Sequence, residues 1–427
     1  MITSEQKDLV KATVPVLKEN GVALTDYFYK RMLKNNPHLK ETFNMGHQRS
    51  GAQARALAGA VLAYAENIDD PSVLMPVVEL ICHKHVSLNI QAPDYDIVGE
   101  NLLHSISEVL SISMEDKLIT AWGAAYQQLA DLFISTEKAL YDRQAQTPGS
   151  WLGWRDFVIE QKVKESSEVT SFYLSPKDKK GLPVYKPGQY ITVRVTVPIL
   201  GIKQPRQYSL SDSPDGKYLR ISVKREDSRA ENQDPGYVSS VLHNVINEGD
   251  TIEVSAPTGN FFLVNPDCNN VLISAGIGLT PMISMLNQLL TDKCRPDDKP
   301  SFWDKLKSPF RHAEENKKQI TFIHAARSPD VHVMRKEIRE LADRHSNLQV
   351  YVAYESAPDN YMPGEEYQML GRLNLKEVPS RLLPDDADYY LCGPVPFMQQ
   401  QNASLLDLGI PQERIHSEAF GTGGVSL

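Results

Sequence analysis

The chain has 427 residues, too many for one ordinary core, and its 41% hydrophobic and 23% charged content is that of a globular protein, not a disordered one. A formal charge of −9 speaks against general nucleic-acid binding, which needs a basic footprint. Cys82, Cys268, Cys294 and Cys392 form no CxxC pair, which excludes a zinc ribbon or a cysteine-ligated iron–sulfur cluster and argues against a disulfide framework.

The N-terminus reads as a helix start and not as an export signal. Thr3 and Gln6 have capping-box spacing, and Leu9, Thr13, Val16 and Leu17 follow at helical intervals; Pro15 is expected to end or kink this helix. Apolar residues recur at three- and four-residue intervals over 52–66, 102–110 and 115–143, so residues 1–147 are predicted to be all-α. Thr147-Pro148-Gly149-Ser150 marks a break. From Trp154 the pattern turns to period two, as in Ile191, Val193, Val195 and Val197 or Leu219, Ile221 and Val223, with turn signals at 186–188, 215–216 and 248–250. That predicts an antiparallel β-barrel over 148–262. Over 263–427 strands near 271–274, 320–325, 350–354 and 389–391 alternate with helices, which predicts a doubly wound parallel α/β sheet. The apolar runs are far short of a membrane span, and a reducing cytoplasm is the expected compartment.

Candidate binding residues come first from the second half. Arg206-Gln207-Tyr208-Ser209 offers a planar guanidinium suited to a pyrophosphate beside two hydroxyls, although an ordinary strand with an exposed arginine explains it about as well. Gly236-Tyr237-Val238-Ser239 has the form of a helix start, where free N–H groups favour an anion. Their order resembles the ferredoxin-reductase family, whose barrel binds FAD through RxYS and then GxxS motifs. The resemblance spans residues 154–427 and implies that Tyr190 packs near the flavin. Gly276-Ile277-Gly278-Leu279-Thr280-Pro281 follows a predicted strand and opens a helix, a weak phosphate-loop signal when taken alone. By the same resemblance Cys392-Gly393-Pro394 turns beside the nicotinamide, and Glu418 and Phe420 complete the site, with Phe420 over the flavin face. Arg327, after the second α/β strand, can meet a 2′-phosphate but is as readily a surface charge; the choice between NADH and NADPH stays open.

In the helical part, 77–85 is helical in character and holds His83 and His85. A lone helical histidine is more often structural or solvated. Tyr29, Phe43, then Gln53 and Leu57 four residues apart, and His85 about thirty residues later follow the order seen in bacterial globins. The set resembles the flavohaemoglobins, whose Lys-His pair falls on Lys84-His85. That resemblance implies haem b held by His85, with Tyr95 and Glu137 hydrogen-bonded to it, and His83 as a neighbour without a role. Together with FAD and NAD(P)H it implies oxidation of nitric oxide by O2 to nitrate, as a nitric oxide dioxygenase. A haem-based oxygen or redox sensor and a flavin-dependent ferric or quinone reductase are the alternatives. The expected partners are these small molecules, with no nucleic acid and no membrane required. A monomer is expected, though no motif bears on it. Residues 292–319 form a charged, proline-containing insertion, with Phe302, Trp303, Leu306 and Phe310 at helical spacing. A short helix on the domain surface is the simpler reading of it; a membrane or partner contact is the other.

Overall fold

A computed structural model describes residues 2–227, 236–290 and 318–421. Most of the 292–319 insertion, including Phe302, Trp303, Leu306 and Phe310, lies outside the described residues, as does the tail after Gly421.

The chain opens with helices α1 (Ser4–Ala12), α2 (Val14–Asn35), α3 (Met45–Arg49), α4 (Ala52–Glu66), α5 (Met75–Ser87), α6 (Ala92–Leu110) and α7 (Lys117–Gln146). Thr3 and Gln6 form the expected capping box. Pro15 falls in the first turn of α2, where its missing N–H costs nothing, so it separates two helices instead of kinking one. Small residues let α2 and α4 approach closely: a Cβ on Gly21 would stand 3.6 Å from that of Ala58, and Thr25 donates to the Ala54 carbonyl at 2.7 Å. Residues 92–110 make one long helix, starting ten residues before the stretch whose periodicity announced it, because Pro93 and the Gln91–Asp94 capping box begin it at Ala92. Tyr95 is therefore a first-turn helical residue.

Strands β1 (Trp154–Lys164), β2 (Val169–Pro176), β3 (Tyr190–Val197), β4 (Ile202–Ser209) and β5 (Leu219–Lys224), helix α8 (Tyr237–Asn244) and strand β6 (Thr251–Ser255) follow. The sheet is antiparallel with order β4-β3-β6-β1-β2-β5. A bridge from Leu210, just past β4, to Ile221 on β5 brings its two edges together into a barrel. Its core includes Phe157, Phe172, Ile191, Val193, Leu219 and Ile221, plugged by Val238 and Leu242 of α8.

The last part comprises β7 (Asn270–Ala275), α9 (Leu279–Leu290), β8 (Ile320–Ala326), α10 (Arg335–Arg344), β9 (Leu348–Tyr354), β10 (Met369–Leu370), β11 (Asp388–Gly393), α11 (Val395–Asp407) and β12 (Ile415–Ala419). All its strand pairs are parallel, in the order β10-β9-β8-β7-β11-β12, as expected for a doubly wound sheet. The direction of winding reverses between β7 and β11, so a crevice opens beyond their C-terminal ends. This sheet is fixed to the barrel by Arg220 of β5, which is buried, donates to the Ser211 carbonyl and meets Glu337 of α10 at 3.1 Å. The guanidinium is 4% exposed and the Glu337 carboxylate 30%, so losing Glu337 leaves a buried cation with Asp212 at 3.7 Å as its remaining acidic neighbour.

One close contact in the helical domain bears directly on the site. A Cβ on Gly99 of α6 would lie 2.5 Å from the Tyr126 ring of α7, and the Tyr126 hydroxyl donates to the Tyr95 carbonyl at 2.5 Å. Gly99→Ala is expected to destabilise the helical domain by roughly 1–3 kcal/mol through overpacking. Denaturant unfolding followed by far-ultraviolet dichroism would measure it, and an unchanged midpoint would show that Tyr126 moves freely.

Candidate functional site

Three helices bring the first cluster together. His85 lies in the last turn of α5, Tyr95 in the first turn of α6, and Phe133 and Glu137 one turn apart on the same face of α7. His85 Nδ1 is 2.7 Å from Glu137 Oε1 and 3.0 Å from the Tyr95 hydroxyl, and that hydroxyl donates to the same carboxylate oxygen at 2.5 Å. Glu137 is 3% exposed, so two donors converge on a carboxylate that water does not reach. Since Nδ1 must carry the proton to serve Glu137, Nε2 keeps its lone pair. No hydrogen bond to Nε2 occurs among the described residues. Burial, and then the Glu137 charge, push the Tyr95 phenol well above its ordinary range, so it stays protonated and donates to Glu137, while its oxygen is placed to accept from His85 Nδ1. Phe133 packs beside His85 and Tyr95, with ring centroids 5.7 and 6.2 Å away.

Tyr29 of α2 is buried against Phe43 (ring centroids 5.6 Å) and has Gln53 of α4 as a side-chain hydrogen-bond partner. Burial raises its phenol above the ordinary range, so this too is a protonated donor. Leu57, one turn beyond Gln53, packs into the same partly buried cluster. An imidazole with a free lone pair, aromatic and aliphatic walls and a protonated phenol fit a flat apolar group bearing a metal that lacks one ligand.

The barrel supplies the second cluster. Arg206-Gln207-Tyr208-Ser209 is the last stretch of β4, antiparallel to β3, in which Tyr190 pairs with Ser209 and Tyr208 with Ile191. The Arg206 guanidinium is largely buried, donates only to the neighbouring Pro205 carbonyl at 2.6 Å, and has no acidic partner among the described residues. Burial without a counter-charge lowers its pKa, and a bound phosphate would supply what is missing. Gln207 reaches Ser87 of α5 at 3.5 Å. Gly236 is the N-cap of α8, and a Cβ there would collide with Ser239 Oγ at 2.6 Å. The Ser239 hydroxyl is engaged locally, donating to the Gly236 carbonyl and accepting the Glu226 N–H, both at 3.2 Å.

The third cluster lies at the switch point of the parallel sheet. Gly276 has φ +54° and nothing within 4 Å of where a Cβ would stand, so the turn after β7 is open on that side. Ile277 continues the turn, and Thr280 Oγ1 closes it on the Ile277 carbonyl at 3.0 Å, with Leu279 and Pro281 buried in the first turn of α9. At Gly278 a Cβ would be 2.3 Å from the Cys392 carbonyl, so the glycine turn and the Cys392-Gly393-Pro394 turn touch backbone to backbone. The Cys392 thiol is buried and pushed well above its usual range, which argues against a nucleophile. Ser274, Cys392 and Glu418 are register partners across β7, β11 and β12. Burial pushes the Glu418 carboxyl up to about 8, against the opposing pull of Lys84, and its Oε2 finds no partner among the described residues. Phe420 follows β12, 43% exposed.

All three clusters meet at the end of α5. Lys84 Nζ donates to the Gly421 carbonyl at 2.9 Å, and Glu418 acts on both Lys84 and the buried Tyr190. His83 is not the bystander expected. Its Nδ1 is 2.7 Å from Thr258 Oγ1 and accepts the Gly259 N–H at 3.1 Å, both on the barrel side. Gln204 of β4 holds the helical domain from the other direction, donating to the Lys40 carbonyl at 2.7 Å and accepting the Met45 N–H at 3.0 Å. Nothing in the periodicity around Gln204 or Tyr126 marked either residue.

A Globin family profile matches residues 26–133, an Oxidoreductase FAD-binding domain profile 156–263 and an Oxidoreductase NAD-binding domain profile 272–403. The chain is 51% identical to a Flavohemoprotein of Bordetella parapertussis (strain 12822) over 428 residues, all of both chains. The crystal structure of the flavohemoglobin from Malassezia yamatoensis with bound FAD and heme superposes with a TM-score of 0.79 at 26% identity, covering 98% of this chain and all of that one. The flavohem-like FAD/NAD binding domain of nitric oxide dioxygenase from Vibrio cholerae O1 biovar El Tor matches with a TM-score of 0.51 at 36% identity, covering 62% of this chain and 98% of that one.

Burial lowers the His83 imidazole from 6.5 to about 4. A depressed histidine favours the docked state above pH 6.5, and that advantage drains away as pH falls towards about 4. Hydrogen-exchange protection at the Thr258–Gly259 backbone, corrected for the intrinsic slowing of exchange in acid, is expected to fall across this window, and His83→Gln should flatten the protection profile. A wild-type profile already flat between pH 6.5 and 4 would contradict it.

Proposed function

The chain belongs to the flavohemoprotein (flavohaemoglobin) family, and from that premise we propose that it is a nitric oxide dioxygenase, converting nitric oxide and O2 to nitrate at the expense of NAD(P)H. The observation that carries the reading is the Glu137–His85–Tyr95 cluster, with its carboxylate buried, in a helical domain that also holds the buried Tyr29 and in a chain that also holds a flavin- and nicotinamide-type reductase. The Vibrio cholerae domain, which bears the name nitric oxide dioxygenase, supports it further. When bound, haem would supply the iron chemistry with oxygen, and FAD the conversion of a hydride from NAD(P)H into single electrons.

The residues divide the work. His85 Nε2 would hold the haem iron, and Glu137, by accepting the Nδ1 hydrogen bond, would make the imidazole a stronger electron donor, which favours activating oxygen over storing it. Tyr95 locks the carboxylate in place. Tyr29, protonated because it is buried, donates a hydrogen bond to the oxygen substrate, with Gln53 orienting it; Phe43 and Leu57 exclude water. Arg206 pairs with the FAD pyrophosphate, Gln207, Tyr208 and Ser209 border the flavin, and Tyr190 packs beside it. Gly236 and Ser239 shape the α8 start that borders the same cofactor. The turn from Gly276 to Pro281 receives the nicotinamide coenzyme's pyrophosphate, while Cys392, Gly393, Pro394, Glu418 and Phe420 frame its nicotinamide end. Lys84 keeps the last strand against the helical domain.

These roles assign residues 1–147 to the globin, 148–262 to the FAD domain and 263–427 to the NAD(P) domain. No single helix among the described residues is long and apolar enough to cross a membrane; the cytoplasm is the compartment proposed.

Electron counting sets the test. NO + O2 + one electron gives nitrate, so one hydride serves two nitric oxide molecules. Purified holoprotein is expected to consume nitric oxide only with both O2 and NAD(P)H, in that ratio. Glu137→Gln should keep its haem and slow consumption about 10- to 100-fold. Turnover without NAD(P)H, or an unimpaired Glu137→Gln variant, would contradict the proposal.

A further inference from the structure

β7 and β8 are parallel neighbours, with Ala275 opposite Ala325. Gly276-Ile277 and Ala326-Arg327 therefore leave the sheet side by side, on strands about 4.8 Å apart. Glu418 and Cys392 lie on the other side of β7, towards Tyr190 and the flavin-type cluster. A dinucleotide whose pyrophosphate sits at the Gly276 turn and whose nicotinamide points to Glu418 must run its adenosine half towards β8, and so to Arg327. At that end of such sites an acidic residue reads a ribose 2′-hydroxyl, and an arginine accommodates a 2′-phosphate.

Arg327 is not free to do the second. Its guanidinium donates to Glu168, in the turn between β1 and β2 of the barrel. Glu168 is 29% exposed, Arg327 61%, and Lys224 stands 3.6 Å from the other Glu168 oxygen. The turn carrying Glu168 is itself pinned to the β8 loop, since Ser167 donates through both its N–H and its hydroxyl to the Asp330 carbonyl at 3.2 Å. The carboxylate is thus held at the arginine by a second domain, on a backbone with two further ties to the same loop.

Resting on the NAD(P)H-oxidising function proposed above, we propose that Glu168 is a specificity-determining residue of this chain: by occupying Arg327 it withholds the guanidinium from a 2′-phosphate and directs the enzyme to NADH. A 2′-phosphate brought to Arg327 has to displace a carboxylate that Lys224 keeps nearby, and the two anions then repel each other. An adenosine ribose with a free 2′-hydroxyl meets no such conflict.

The test uses holoprotein and two probes, 5′-ADP and 2′,5′-ADP, titrated by calorimetry, with anaerobic flavin reduction by NADH and by NADPH as a parallel readout. Wild type is expected to bind 5′-ADP more tightly than 2′,5′-ADP. Glu168→Gln should shift the ratio of the two affinities about tenfold towards 2′,5′-ADP and move the NADPH-to-NADH reduction ratio in the same direction. Adding Arg327→Ala should cancel that gain. 5′-ADP binding also reports that each variant has folded, because it does not need the pair. An unchanged ratio in Glu168→Gln overturns the proposal, as does a gain that survives in the double variant. Wild-type protein that binds neither probe and is reduced by neither coenzyme would overturn the underlying function, and this inference with it.

Discussion

A single buried oxygen of Glu137 accepts from both His85 and Tyr95, and that convergence constrains everything around it. With no water in reach, the carboxylate needs donors, and the imidazole can serve only with its Nδ1 proton. A neutral imidazole so held keeps its lone pair on Nε2. The two other helices follow from this: α7 must present Phe133 and Glu137 on one face, and α6 must start early enough to put Tyr95 in its first turn. Gly99 and Tyr126 then hold α6 against α7 at the distance the cluster requires.

The same helix that carries His85 in its last turn also carries the joints between the domains. His83 meets the barrel at Thr258 and Gly259, Ser87 receives Gln207, and Lys84 reaches the end of β12. One turn of α5 thus touches all three parts of the chain while its His85 is tied to Glu137 and Tyr95. Under the proposed function this geometry shortens the electron path from flavin to haem, since the residues bordering the flavin-type site touch the immediate neighbours of the axial ligand. Glu418 makes the arrangement polar at its centre: burial pushes its carboxyl up to about 8 against the pull of Lys84, whose own ammonium burial lowers and Glu418 raises.

Much of the fold was legible because its signals are local. The shift from helical to alternating periodicity near Trp154, and then to strand–helix alternation after 263, corresponds to the two sheets and their order. His85, Tyr95 and Glu137 were legible only as members of a set, since no single one differs from an ordinary core or surface residue at its position. Contacts between domains left no trace. Gln204 reads as an unremarkable strand residue, His83 as a solvated neighbour, and Glu168 as a turn carboxylate. Each acquires meaning only from a backbone group or side chain far away in sequence, and periodicity carries no information about such a partner. Arg327 shows the reverse limit: its position was suggestive, but the carboxylate that holds it lies 159 residues earlier in the chain.

The central claim is that one polypeptide carries electrons from nicotinamide through flavin to the iron held by His85. Anaerobic mixing of the holoprotein with NADH, followed by rapid-scanning absorbance, tests it most directly. The account predicts that the flavin bands bleach and the Soret band then moves to its ferrous position, at a rate independent of protein concentration. Flavin that bleaches while the haem stays ferric, or haem reduction whose rate rises with protein concentration, would contradict it.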